Sequence, residues 1–237
     1  MTVGRHLKPR RQITHSNRGA DLTTALFFQE PRWYPAGAVW PLAVPPALRA
    51  WLLDPCSLTR RLTRLAGGDF RVQVLTQRWQ RPLPSEARLL AVAGREYALV
   101  RQVLLHCRGE PWVFARTVIP RSSFEGGLKR LAYLGARPLG AWLFADPSTR
   151  RIFTEVAAMS AADRCFMGVP FCDASAEGWG RRSVLSVRKK PILINEIFLP
   201  VCLAELGSTP VTGGVRAAAV SRRRRLTPAD AGLPIRS

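Results

Sequence analysis

The sequence predicts an α+β fold, a single antiparallel β-sheet with helices on one side. Three observations predict it. Strand-like runs are joined through tight turns, which signals antiparallel hairpins. Short helical segments cluster in two places, each divided by a tight break. Two strongly apolar strand-like runs, YALVRQVLL and PILINEIFLP, each carry one charge near the middle, Arg101 and Glu196.

Residues 1–22 are polar and basic, without hydrophobic period, and are expected to be mobile. Residues 31–47 are rich in Trp and Pro and read as an irregular packed segment. A short helix is expected at Pro46–Leu53, broken by Asp54-Pro55. Ser57 can cap a second helix through Leu58, Leu62 and Leu65, ended by Gly67-Gly68. Phe70–Arg81 alternates as a strand. Tyr97–Cys107 and Trp112–Ile119 form a hairpin around Arg108–Pro111.

Ser122–Leu134 reads as a helix with Leu128, Leu131 and Leu134 on one face and Gly135 as its stop. Pro138 sits at a helix start before LGAWLF; Asp146-Pro147 breaks it, and Thr149–Ala158 resumes as helix. The segment 159–178 reads as a loop. Arg181–Val187 and Ile192–Leu199 form the last hairpin, joined through Arg188–Pro191. The expected organisation is a basic arm at 1–30, a folded domain at 31–204 and an Arg-rich, disordered tail at 205–237.

Alternation puts Arg101 on the face of Leu99, Val103 and Leu105, and Glu196 on that of Ile192, Ile194 and Phe198. A charge among such neighbours is costly unless it has a partner or a ligand. The two residues therefore read either as a buried ion pair or as a closed site that binds an anion and handles a proton. Arg116 reads as structural or as a second anion anchor. One of Arg181 and Arg182 must point inward, and the residues do not say which. His106 and Cys107 read as packing residues, Glu110 as a turn residue.

The formal net charge of +20 attracts nucleic acid, acidic membranes or small anions. It is unevenly spread: residues 1–30 carry five Lys/Arg against two acids, residues 206–237 six Arg against one acid, and 31–205 the remaining +12. The run Arg222–Arg225 reads as a solvated tail that can also contact nucleic acid or a membrane. Five cysteines without a C-x-x-C pair, and three histidines of which two lie in the N-terminal arm, argue against a metal cluster and a disulfide framework. The expectation is a reduced, cytoplasmic protein. No apolar run approaches the roughly 18 residues of a membrane-spanning helix. No secretory signal follows the basic N-terminus, although an Arg-rich transit-like arm fits its composition.

The stretches WLLDPCSLTRRL, LVRQVLLHCRGEPWVFARTVIP, LGARPLGAWLF, GWGRRSVL and KPILINEIFLP, in this order, cover most of residues 51–200. Together they resemble the chorismate lyase family, whose members open bacterial ubiquinone synthesis. The resemblance implies a single antiparallel sheet with a buried ligand cavity under two helix-turn-helix flaps, which the helical pairs at 46–66 and 123–158 fit. It implies conversion of chorismate to 4-hydroxybenzoate and pyruvate without cofactor or metal, by a monomer with no obligate nucleic-acid partner. Arg101 matches the position that binds the ring carboxylate, and Glu196 the acidic residue at the hydroxyl end. Leu58 and Leu139 match flap residues that contact the ligand through their backbone; Leu58 stands where the family often has Met. The competing function is a small-molecule sensor of the same fold. Sensors of that kind carry a winged-helix domain ahead of the ligand-binding half, and about 45 residues before the first flap helix are too few for one.

Overall fold

The computed structural model describes residues 30–38, 44–93, 95–169 and 178–208. Residues 1–29, most of the Arg-rich tail and residues 170–177 of the expected loop lie outside them. The strands are β1 (Tyr34–Pro35), β2 (Phe70–Gln80), β3 (Ala98–Cys107), β4 (Glu110–Pro120), β5 (Arg150–Met159), β6 (Gly178–Val187) and β7 (Lys190–Phe198). They form one antiparallel sheet in the order β1-β5-β6-β7-β4-β3-β2. The helices are α1 (Pro46–Leu52), α2 (Leu58–Leu65), α3 (Pro84–Leu89), α4 (Leu139–Ala145), α5 (Ala161–Phe166) and α6 (Pro200–Ser208). The α+β class and the single antiparallel sheet are as the sequence predicts; the helices are not confined to one side, because α3 packs on the face opposite α1 and α2.

Both hairpin turns are tighter than expected. β3 and β4 join through Arg108-Gly109, with φ of 53° and 80°; β6 and β7 join through Arg188-Lys189, with φ of 51° and 65°. Positive φ at both central positions gives the twist that suits a two-residue hairpin. Glycine meets that requirement freely. Arg108, Arg188 and Lys189 meet it at a cost of roughly 1–2 kcal/mol each.

Four segments depart from expectation. Thr149–Ala158 is not a helix: it is β5, paired with β6 from Arg150 to Met159. Its β-branched and aromatic residues favour that pairing, which local helix propensity cannot anticipate. Ser122–Leu134 is not α-helical but forms two 3-10 turns, Arg121–Ser123 and Gly126–Tyr133. The second begins at Gly126, whose φ of 51° interrupts a right-handed path. The described part of 159–178 contains α5, where Ser160 Oγ accepts from the Asp163 N–H (3.2 Å) and Asp163 Oδ2 from the Ser160 N–H (2.8 Å). That reciprocal cap was legible as Ser-x-x-Asp. The unassigned stretch after β2 holds α3, started by Pro84 and by Glu86, which accepts from the Leu83 N–H at 2.9 Å. α6 continues to Ser208, past the expected boundary at 204, and buries Leu206.

The sheet has two covered faces. One carries Val103, Leu105, Val113 and Phe198 under α1, α2 and α6, continuing as Leu99, Ile119, Leu185 and Ile192 under Leu128, Leu131 and Leu143 of the second helical pair. The opposite face packs Leu104, Phe114 and Ile197 against Met167 and Val169, and Val100, Val118 and Leu193 against Leu89 and Leu90 at the end of α3. Each fully buried Leu or Ile contributes roughly 1.5–3 kcal/mol.

Cys107 and Cys202 lie in the first of these cores, and Cys56 is exposed; all three are free thiols. Burial pushes the Cys107 thiol up to about 11 and raises that of Cys202 as well. Only the thiolate is nucleophilic. In the native protein at pH 8, iodoacetamide is therefore expected to label Cys56 and spare Cys107 and Cys202. Peptide mapping checks this; rapid native labelling of Cys107 would show that the α2–sheet contact opens easily.

Candidate active site

The helices that cover the first face do not fill it. Between them and the sheet lies a narrow cavity, about 50 Å³ measured by where a water's centre fits. Its wall includes all four residues singled out from the sequence: Leu58, Arg101, Leu139 and Glu196. The sheet supplies the floor, with Val103, Ala115 and Ile194 beside the two charges. The segments at 46–66 and 126–145 form the two flaps.

Arg101 and Glu196 are not an ion pair. Arg101 donates from Nη1 to Gln77 Oε1 (2.9 Å) and from Nη2 to the Gly135 carbonyl (2.7 Å). Among the described residues it has no carboxylate partner. Burial lowers its pKa, yet a guanidinium stays charged. Gly135, at φ 57°, is the stop that precedes α4. The cation is thus oriented by one neutral side chain and by the base of the second flap.

Glu196 Oε2 accepts from Arg181 Nε at 2.5 Å. Arg181 is fully buried and also donates from Nη1 to the carbonyls of Trp51 (2.8 Å) and Asp54 (3.0 Å). Trp51 lies in the last turn of α1, where carbonyls lack intrahelical donors. Arg181 therefore fastens the first flap to the carboxylate of the floor. Asp54 in turn accepts from the Cys56 N–H (2.8 Å) and from Arg61 (3.0 Å). Burial alone would raise its pKa, but these donors outweigh it and the net direction is down.

Leu58 and Leu139 are the first residues of α2 and α4. The N–H groups of a first turn have no intrahelical acceptor. The flaps meet at Gly140. A Cβ there would lie 2.9 Å from Thr59 Oγ1 and 3.0 Å from Ser57 Oγ. Ser57 is itself committed as the α2 cap, accepting from the Arg60 N–H at 3.4 Å. Gly140→Ala is expected to wedge the flaps apart and speed ligand release by roughly tenfold, in line with overpacking costs of about 1–3 kcal/mol. Stopped-flow release of an aromatic carboxylate checks it; an unchanged off-rate would mean that the contact does not hold the flaps.

The remaining candidates fall elsewhere. Arg116 lies on the opposite face, bidentate to Glu86 (2.8 and 3.1 Å). Arg182 is there too, paired with Glu155 (2.5 Å) and Ser85 (2.8 Å), its guanidinium 4.6 Å from the Trp33 ring centre. Of the two arginines in WGRRS, Arg181 alone faces the cavity side. His106 bonds Arg71 and Gln73 at 3.0 and 2.9 Å, and Cys107 packs against α2; both serve packing. One charged cavity residue went unnoticed in the sequence. Arg151, on β5, lines the pocket and donates to Ser183 Oγ. Reading 149–158 as helix concealed it.

No helix among the described residues is long and apolar enough to cross a membrane. A family model described as chorismate lyase matches residues 28–205. A probable chorismate pyruvate-lyase of Methylococcus capsulatus is 41% identical over 66% of this chain and 97% of its own length. One from Pseudomonas aeruginosa is 42% identical over 75% of this chain and 99% of its own. Among solved structures, the effector domain of PhnF from Mycobacterium smegmatis is 15% identical with a TM-score of 0.46, covering 63% of this chain and 91% of that one. That likeness is too loose to support an argument. These sequence matches lead to one conclusion: the chain belongs to the chorismate lyase family.

Proposed function

We propose that this protein eliminates pyruvate from chorismate to leave 4-hydroxybenzoate. The observation that carries the reading is Arg101, a buried guanidinium without a carboxylate partner among the described residues, sharing a flap-covered cavity with Glu196. A planar donor fork of this kind suits a carboxylate.

In the reaction the ether bond to the enolpyruvyl group breaks with its electron pair on oxygen. The hydroxyl-bearing ring carbon loses its proton, and the new double bond completes the aromatic ring. The enolpyruvate gains a proton on carbon and becomes pyruvate. Aromatisation supplies much of the driving force. The protein's task is to hold the geometry, exclude water and stabilise the developing oxyanion. Arg101 binds the ring carboxylate, and Glu196, held by Arg181, faces the hydroxyl end. Leu58 and Leu139 close the cavity from the two flaps. The catalytic domain, expected at 31–204 and extended by α6 to 208, works as a cytoplasmic monomer that supplies 4-hydroxybenzoate for ubiquinone synthesis, and the basic arms lie outside it.

The test is direct: incubate the purified protein with chorismate and follow 4-hydroxybenzoate by absorbance and pyruvate by a coupled assay. Equimolar products are expected. Tight binding of 4-hydroxybenzoate with no turnover would favour the sensor reading. With both flaps over the cavity, release is expected to limit turnover, so added 4-hydroxybenzoate should inhibit.

A further inference from the structure

We propose that Arg151 binds the enolpyruvyl carboxylate of the substrate, the one that departs with pyruvate; the assignment rests on the lyase reading above. Arg151 reaches the cavity through a β-bulge. On β5, Arg151 pairs with Leu185 but Phe153 pairs with Val184, so Ile152 is the extra residue. In a regular strand Arg151 and Phe153 would share a face. Here Phe153 packs on the opposite face and Arg151 lines the cavity. Bulges commonly re-aim a side chain beside an active site.

The side chain is oriented but not neutralised. Its Nη1 donates to Ser183 Oγ, which also lies 3.3 Å from Thr154 Oγ1. Its Nε is buried without a hydrogen-bond partner, as is Nη2 of neighbouring Arg181. No carboxylate among the described residues forms an ion pair with Arg151. Glu196 is neutralised by Arg181, and Asp54 by Arg61. Two guanidinium groups of the cavity wall, Arg101 and Arg151, thus have no ion-pair partner among the described residues. The excess of two positive charges complements a dianion. Burial, and then the Arg181 charge, lower the Arg151 pKa and outweigh the nearby Glu196 and Asp54 carboxylates, which raise it.

Position separates the two anchors. β3 and β5 are four strand steps apart, roughly 19 Å at the backbone. Arg101 and Arg151 therefore reach the cavity from opposite sides, with Glu196 on β7 between them. The ring carboxylate remains in 4-hydroxybenzoate; the enolpyruvyl carboxylate does not. As the ether bond breaks, the electron pair moves onto the enolpyruvate oxygen, and a guanidinium on the attached carboxylate stabilises that charge.

This difference makes the test specific. Arg151→Gln is expected to lower kcat/KM for chorismate by roughly a hundredfold, as for truncation of a buried charged contact. The Kd of 4-hydroxybenzoate should change less than about threefold, because the product has no second carboxylate for Arg151 to lose. Arg151→Lys should recover part of the rate, and Arg101→Gln should weaken both ligands. Equal losses for substrate and product in Arg151→Gln, or no loss for chorismate, would overturn the assignment. If Arg151→Gln does not fold, the ratio of the two effects in Arg151→Lys decides in the same way. A wild-type protein with no lyase activity would instead overturn the underlying reading.

Discussion

Arg101→Ala is expected to lower kcat/KM for chorismate by roughly 10²–10³-fold, within the range for losing one partner of a buried charged pair. The Kd of 4-hydroxybenzoate should rise comparably, since the ring carboxylate is present in substrate and product alike. Arg101→Lys should fall between, because an ammonium restores the charge but not the two parallel donors. The fold should tolerate the change. The partners left behind are Gln77 and the Gly135 carbonyl, both neutral, so no buried charge is stranded. Steady-state kinetics, product titration and a thermal melt together check this. Wild-type kinetics in Arg101→Ala would remove the residue from the site.

Glu86→Ala has the largest expected effect on stability, and it probes the face away from the cavity. Glu86 is fully buried and bonds Arg116 twice and Asn195 Nδ2 once, at 3.0 Å. Removing it strands the Arg116 charge, at a cost of about 3–5 kcal/mol. For a domain of this size that lowers Tm by roughly 6–20 °C. The double variant Glu86→Leu/Arg116→Met replaces the pair with apolar volume and should recover most of the loss. Its affinity for 4-hydroxybenzoate should match wild type, because neither residue reaches the cavity. Chemical denaturation and product titration measure the two effects separately. Lost product affinity in the double variant would return Arg116 to the list of carboxylate anchors.

The contrast between Arg101 and Arg116 shows how far residue patterns reach. Both sit in apolar strands one hairpin apart, and both read from sequence as an anion anchor or a structural ion. Arg116 is matched by a carboxylate on α3, a helix whose Pro84 and Glu86 signals were present but unassigned. Arg101 is matched by neutral groups only. No local feature of either strand carries that difference. The same holds for Arg181 and Arg182. Adjacent strand residues must face opposite ways, but the side that receives the flaps is set by elements more than a hundred residues earlier in the chain, Trp51 and Asp54.

The sequence by itself determined what depends on neighbours along the chain. Alternation grouped Arg101 with Leu99, Val103 and Leu105, and Glu196 with Ile194 and Phe198. Breakers and caps marked α1, α2 and α4, and the ordered motifs pointed to the family. The tertiary structure decided what depends on pairing between distant segments. It made 150–159 a strand because β6 was there to pair with it. Through the Ile152 bulge it turned Arg151 into the cavity, against the simple alternation. Cross-strand register also brought Arg101 and Glu196, nearly a hundred residues apart, to one wall. Side-chain alternation is a property of a single strand; which strands meet, and where a bulge falls, is a property of the whole sheet.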